Sequence, residues 1–426
     1  MAGEKELVNE RAFPLRASAM ILAAVVFSLG FMQPNIRVSR MAIQFTDALF
    51  VLLLVATAVA VLNRSLPLRM DRFYLVLAAY FAALMLSAIF SAEPDRSFFK
   101  LAGEAYLIGL AIIAGQLVRS ETMFRKIFLT WIAASTIVCL IGVITVAVFY
   151  VDRTNIWLDW FLHHYGSLPP GNYPRIQSTY IYPGMLCNYL TVSLMMLFVA
   201  ARLGWMGRSA ILAATGLHLS AAAFTITPGL GGLLFAVSAW FALAAMAEGR
   251  KTASALWLSA GFVAAAAFLA VSLFTLRPTE TAPYSFNVLG TEVFPSQRLL
   301  TWQGAAATAL EYPVFGKGLG LGVARVEFLA PSGQRQMLTD AHNTWLNVAG
   351  STGLAGLAAI LLLTIVPVRR LWPLTFGGDP MSVIRAGLGI AFVSSFIIQG
   401  MVGSFENARH LWLLIGLMLA ATHRSD

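Results

Sequence analysis

The chain is 426 residues long, 58% hydrophobic and only 12% charged, with a formal net charge of +9. Soluble domains are roughly 45–50% apolar and about 25% charged; here there is too little polar surface to coat a globule, which excludes a water-soluble domain and makes the bilayer the solvent. The basic balance follows membrane topology and asks for no nucleic-acid partner, while Cys139 and Cys187 lie in or beside apolar runs, away from any metal-site or disulfide spacing.

A hydrocarbon core about 30 Å thick takes roughly 20 apolar residues as a helix. Along the chain such runs predict spans near 17–35, 41–62, 73–92, 101–118, 127–150, 185–203, 209–225, 230–247, 255–275, 345–368, 386–404 and 408–422, with 209–247 open to a different division. About twelve spans make this an all-α polytopic membrane protein, a single integral membrane domain over 1–426. The opening "MAGEKELVNERAFPLR" and the run after it resemble a signal sequence. No small-x-small cleavage pattern follows "LGFMQPN", so the segment is read as an uncleaved first helix. Lys and Arg set the orientation. With the N-terminus inside, the inner segments hold most of them, from Lys5, Arg11 and Arg16 to Arg369, Arg370, Arg385 and Arg424, whereas the short outer loops hold Arg37, Arg40, Arg96, Lys100 and Arg409. Both termini are therefore expected in the cytoplasm, with two long segments, 151–184 and 276–344, outside.

Catalytic residues concentrate on loops positioned by a rigid scaffold, so chemistry is expected on the outer face, away from ATP and nucleotide sugars. Energy for bond formation must then arrive stored in an external or membrane-borne substrate. Asp47 and Glu104 lie near the outer ends of their spans; Lys100, one turn before Glu104, makes a simple ion pair, and lining of an outer cavity is the sharper alternative. His163 and His164 in "WFLHHYG" fall in an interfacial aromatic segment with no third ligand at metal spacing. Arg175, in "GNYPRIQSTYIYPGMLCNYL", is either a headgroup arginine beside an aromatic belt or a guanidinium poised to grip an anion. His218 lies within a span, where polar groups are often functional, although one helix partner satisfies a neutral imidazole.

Residues 296–311 predict a helix, with Ser296 as N-cap, Arg298 in the first turn, Trp302 one turn on, and Pro313 and glycines ending it. Arg298 either packs its stem over Trp302 or adds its charge to a positive helix N-terminus, a good anion site. "GKGLGLG" lacks the spacing of a phosphate-binding loop and reads as a flexible turn. In "TDAHNTWLNVAGSTGLAG", His342 closes the second long loop and Asn343, Thr344 and Trp345 open the tenth span. Gly350, Gly353 and Gly356 recur every three residues, which implies close helix packing that holds the helix start rigidly. Histidine is the side chain best suited to proton exchange near neutral pH, though a boundary histidine is often only interfacial. His410 and His423 sit at membrane edges.

Three stretches together resemble the O-antigen ligase and polymerase superfamily of bacterial envelope glycosyltransferases. They are the arginine in "RIQSTYIYPGMLCNYL", the Arg–Trp pair in "RLLTWQGAAATALEYPVFGKGLGLG", and "HNTWLNVAGSTGLAG" at the next span. Their order, the twelve spans and the large loop between the ninth and tenth also fit. The chain departs from the family where Ser178 replaces the usual Gly, where Pro183-Gly184 replaces Pro-Asn, and where "FTITPGLGG" lacks the arginine of a Ser-Arg-Gly stretch. The resemblance implies a C-type glycosyltransferase fold in the bacterial inner membrane. It implies transfer of a glycan from undecaprenyl-diphosphate to lipid A–core on the periplasmic face, with inversion and with no metal or other cofactor. Polymerases extending a lipid-linked glycan share the same pattern. In this reading His342 takes the acceptor proton, Arg298 and Arg175 face the diphosphate, and Lys317, Arg325, Arg335, Trp302 and Asn343 are candidate substrate-binding residues. A glycolipid transporter, the reading from another class, would show interrupted helices in matching halves and charges deep in several spans.

Overall fold

The computed structural model describes residues 2–38, 41–165, 173–276, 284–329 and 335–423; Arg40, Arg424 and loop residues 166–172, 277–283 and 330–334 lie outside the described residues. The chain is mostly helical. In order the helices are α1 (Ala2–Ser28), α2 (Phe45–Leu62), α3 (Phe73–Ile89), α4 (Pro94–Leu117), α5 (Glu121–Val151), the short α6 (Leu158–Phe161), α7 (Pro183–Arg202), α8 (Arg208–Ala223), α9 (Leu230–Ala247), α10 (Lys251–Leu273), α11 (Gln297–Glu311), α12 (Thr344–Leu371), α13 (Pro380–Phe392) and α14 (Arg409–Thr422). Each of the twelve apolar runs falls on one of these helices, and α6 and α11 lie in the two long loops. Among the described residues, eight helical stretches are long and apolar enough to cross a membrane, and Phe13–Ser28, Phe73–Ile89 and Arg409–Thr422 are shorter apolar helices.

Helix ends run past the apolar runs because capping is polar. The run at 127–150 becomes Glu121–Val151 because Ser120 caps it, its Oγ accepting from the Met123 N–H at 3.3 Å. The predicted span 386–404 stops earlier: after α13 the chain makes a π-helical turn, Val393–Ile398, and a 3₁₀ turn, Gln399–Met401, and residues 402–408 leave the helix. The loops add short antiparallel pairings: β1 (Ile36–Val38) with β2 (Met41–Ile43), β3 (Leu162–Tyr165) with β4 (Tyr173–Ile176), β7 (Thr291–Pro295) between β5 (Phe274–Thr275) and β6 (Phe286–Val288), and β8 (Val326–Leu329) with β9 (Arg335–Leu338).

Helix α7 is the most deeply covered of the long apolar helices and α10 the least. In an apolar interior every polar group needs a partner, and α7 shows how that is met. Asn188 donates to the Ser395 carbonyl (2.7 Å), inside the π-turn, and to Gln399 Oε1 (2.8 Å), and its own Oδ1 lies 2.6 Å from His410 Nε2. Gln399 Nε2 in turn donates to Thr191 Oγ1 and the Gly229 carbonyl. His218 is satisfied by Ser135 Oγ (2.8 Å) and the Ala214 carbonyl (2.7 Å).

The glycine repeat in α12 does something other than predicted. Gly353 adopts φ 65°, ψ −164° and interrupts the helix. The backbone groups freed by the break are taken by the segment after α11: Lys317 N–H donates to the Gly350 carbonyl (2.9 Å), Gly318 N–H to Ser351 (3.0 Å), and Leu354 and Ala355 N–H groups donate to the Pro313 and Val314 carbonyls. "GKGLGLG" is therefore a stitched crossover rather than a flexible turn. A Cβ on Gly316 or Gly353 would come within 2.3–2.4 Å of the facing backbone, so only glycine permits the approach.

Candidate functional site

Helix α11 begins as predicted. Ser296 Oγ accepts from the Leu299 N–H and donates to the Ser272 carbonyl, and Ser296 N–H donates to Leu273. This ties the start of α11 to the end of α10. One turn in, Thr301 Oγ1 lies 3.2 Å from the Ala341 carbonyl, and Thr308 Oγ1 bonds the Val323 carbonyl. Ala305, Val323 and Ala341 form a small apolar cluster with Leu346 against it. These contacts hold the helix that carries Arg298 across the start of α12, beside His342. Arg298 and Trp302 are half-buried, and Trp302 Nε1 is buried with no hydrogen-bond partner among the described residues.

His342 sits just before the helix with a left-handed backbone, φ 48°. That region costs a non-glycine residue about 1–2 kcal/mol, and two local devices hold it. His342 N–H donates to Asp340 Oδ1 at 2.5 Å, closing an Asx turn, and Asn343 caps α12, its Oδ1 accepting from Trp345 and Leu346. The ring Nδ1 lies 3.3 Å from the same Asp340 oxygen. A proton on Nδ1 directed at Asp340 leaves Nε2 as the basic nitrogen. Ser404 Oγ–H donates to Asp340 Oδ1 as well, at 2.6 Å. Burial alone would raise the Asp340 carboxyl, but the bond to His342, its charge and the Ser404 hydroxyl outweigh it and hold the group below the ordinary carboxylate value.

Behind this pair lies Glu406, in the loop between α13 and α14. Its Oε1 accepts from Asn347 Nδ2 at 2.5 Å; its Oε2 is buried with no partner among the described residues. Burial first, and then the nearby Asp340 charge, push Glu406 up to about 7. Lys100 and Glu104 on α4 stand 3.8 Å apart, the i, i+4 pair expected from their spacing. Asp47 is engaged structurally: it caps α2 through the Gln44 N–H and takes a two-pronged contact from Arg409 at 3.0 Å per bond.

Arg175 is placed by other elements. It lies on β4 opposite His163 on β3, and its Nε donates to the Thr225 carbonyl at 3.2 Å, while Ile176 N–H donates to Phe224. These contacts run to the α8–α9 corner, whereas those joining Arg298 and His342 run between α11 and α12. Ser178, where the resemblance expects glycine, has φ 50°, and its Oγ bonds the Val138 carbonyl at 2.7 Å. Of the predicted substrate-binding residues, Asn343 has its carboxamide committed to the cap and to the Met401 carbonyl, and Lys317 Nζ donates to the Gly322 carbonyl within the crossover. Arg335 forms an exposed 3.7 Å pair with Glu327, of a kind worth little in water, and Arg325 is exposed. Among the described residues no group of three or more His, Cys, Asp or Glu could hold a metal ion.

Reading the sequence overlooked Asp340, Ser404 and Glu406. Asp340 had a local signal, an acid two residues before a histidine at a helix cap. Ser404 and Glu406 had none nearby, being brought in by a loop some sixty residues on. The chain matches no protein-family model and no curated protein.

Proposed function

We propose that the protein is an O-antigen ligase-like glycosyltransferase, moving a glycan from undecaprenyl-diphosphate to lipid A–core on the periplasmic face of the bacterial inner membrane. All twelve long helices cross the bilayer in this reading, and both termini face the cytoplasm. The observation that carries it is the Asp340–His342 pair at a capped helix start, tied through Thr301 and Ala341 to the helix bearing Arg298. A half-exposed imidazole oriented by a carboxylate is the arrangement of a general base.

The acceptor hydroxyl loses its proton to His342 Nε2 as its oxygen bonds the anomeric carbon. The bond from that carbon to the diphosphate breaks on the opposite side, its electron pair leaving with the carrier, so the configuration inverts. Asp340 stabilises the imidazolium. Arg298, at the start of α11, and Arg175, on the β3–β4 hairpin, meet the charge developing on the diphosphate, and donors aimed at such charge are often the largest catalytic contribution. The site lies at a helix start because the carrier's diphosphate lies at headgroup depth.

The test uses purified protein in detergent with undecaprenyl-diphosphate-linked glycan, with and without lipid A–core. A larger lipid A–core product is expected, reduced roughly 100- to 10,000-fold in His342→Ala and at least about tenfold in Arg298→Lys, which lacks the bidentate fork. Wild-type turnover in His342→Ala would remove the base. Lengthening of the lipid-linked glycan alone would make the protein a polymerase, and transfer by neither route would remove the enzyme reading.

A further inference from the structure

The loop from Met401 to Glu406 lies along the first turns of α12 as a strap. The Met401 carbonyl accepts from Asn343 Nδ2 (3.1 Å) and the Gly403 carbonyl from both Thr344 N–H and Thr344 Oγ1 (3.0 Å each). Phe405 N–H donates to Thr344 Oγ1 (2.8 Å), and Glu406 Oε1 accepts from Asn347. Ser404 stands between Gly403 and Phe405, whose backbones are both pinned to the same threonine. Its hydroxyl is thereby delivered to Asp340 Oδ1, the oxygen that also faces His342 N–H and Nδ1.

We propose that Ser404 is a positioning residue for His342, acting through Asp340: its hydroxyl fixes the carboxylate that holds the imidazole. The terminal torsion of an aspartate is broad, so the carboxylate needs an outside partner to present one oxygen steadily. The Asx turn bonds that oxygen along the chain, and Ser404 bonds it from a different element, the combination that defines a single carboxylate plane. Among the described residues, Glu406 in the strap feels the Asp340 charge, and Lys100 on α4, paired with Glu104, in turn faces Glu406; Arg298 lies on α11 one turn before the Thr301 contact to Ala341. The inference rests on reading His342 as the general base, yet it has a test that needs no glycan.

In the full-length protein in lipid nanodiscs, diethyl pyrocarbonate modifies neutral imidazoles, and mass spectrometry follows His342 separately from the other histidines. The rate of His342 modification, relative to free histidine at the same pH, reports how firmly Asp340 holds the ring with Nε2 as the free nitrogen. Asp340→Asn changes that rate, because the carboxylate that accepts from Nδ1 is gone. Ser404→Ala moves the rate toward the Asp340→Asn value, and Ser404→Thr, which keeps the hydroxyl, leaves it where the wild type has it. In the transfer assay Ser404→Ala loses roughly tenfold in kcat, the effect of one hydrogen bond to a charged group, with the donor KM unchanged. A Ser404→Ala rate coincident with the wild type, or a Thr variant as altered as the Ala variant, overturns the proposal. If Ser404→Ala does not fold, Ser404→Cys, similar in size but a weak donor, takes its place with the same two outcomes. Absence of transfer in the wild type would remove the glycosyltransferase reading while leaving the modification result to decide the role of Ser404.

Discussion

Glu406 is only 6% exposed, and one of its carboxyl oxygens faces no described donor. A carboxylate in that position is penalised by burial and by the Asp340 charge, which is why it titrates near 7 rather than at its ordinary 4.5. The sign of the linkage follows. Below about pH 4.5 the group is protonated whether the protein is folded or not, and there is no penalty. Between about 4.5 and 7 the folded state holds the proton more tightly, so stability falls as pH rises, by on the order of 3 kcal/mol over the interval. Asp340 acts in the opposite sense, its contribution being lost as pH falls through its depressed value, below the Glu406 window. Glu406→Gln keeps an acceptor oxygen for Asn347 and removes the titration. Its melting temperature in detergent is expected to stay level from pH 5 to 7.5 while the wild type declines, the two diverging most at pH 7.5. Parallel curves would mean that Glu406 does not change charge in that range.

The start of α12 works as an element because the helix is broken at Gly353, ten residues beyond its cap. The break leaves a short half-helix carrying Asn343 and, just before it, His342, and the crossover 312–318 clamps that half-helix by backbone bonds. Three glycine substitutions separate the contributions. Gly353→Ala and Gly316→Ala each place a Cβ within 2.3–2.4 Å of facing backbone that has no room to move, and should leave little monodisperse protein on size exclusion. Gly320→Ala has φ 70° but meets only the Lys100 side chain at 3.5 Å, so it should cost about 1–2 kcal/mol of backbone strain and remain folded. Equal behaviour of all three would mean that the crossover is not seated in the break. The glycine spacing marked this region as special in the sequence, but its cause was not legible there. Helix-packing glycines and a helix break have the same local pattern, and the bonds that distinguish them come from Pro313 to Gly318, more than thirty residues earlier. What was legible was local: the helix from Ser296 on, fixed by its cap, and the boundary at His342 and Asn343, fixed by the change in polarity. Ser404 was hidden for the opposite reason, because hydropathy continued the eleventh span through residue 404 while the backbone left the helix at Met401.

Several polar ties between helices sort by the predicted sides, while others, such as Ser135 with His218, lie within the spans. Outer segments and the outer halves of spans meet one another: Gln33 N–H with the Thr179 carbonyl, Asp47 with Arg409, Ala92 N–H with the Lys317 carbonyl, and Ser87 with the Ser351 carbonyl. Segments expected inside do the same: Asp71 with Arg370 and His423, Gln116 with Arg69, and Arg385 with the Ala421 carbonyl. Such sorting arises if consecutive helices run in alternating directions, and the Lys and Arg distribution then says which end is cytoplasmic. Single cysteines test both points, because native Cys139 and Cys187 are buried and give little background. Leu289, fully exposed between β6 and β7, and Met70, 86% exposed before α3, are separated by α3, α4, α5, α7, α8, α9 and α10. Seven crossings is an odd number, so in sealed right-side-out vesicles a membrane-impermeant maleimide should label Leu289→Cys directly and Met70→Cys only after permeabilisation. The reverse pattern would turn the protein over and put His342 in the cytoplasm, against the proposed periplasmic site. Labelling of both from one side would mean an even number of crossings between them. The first helix to doubt would then be α8, whose 16 residues fall short of the roughly 20 that a bilayer core requires.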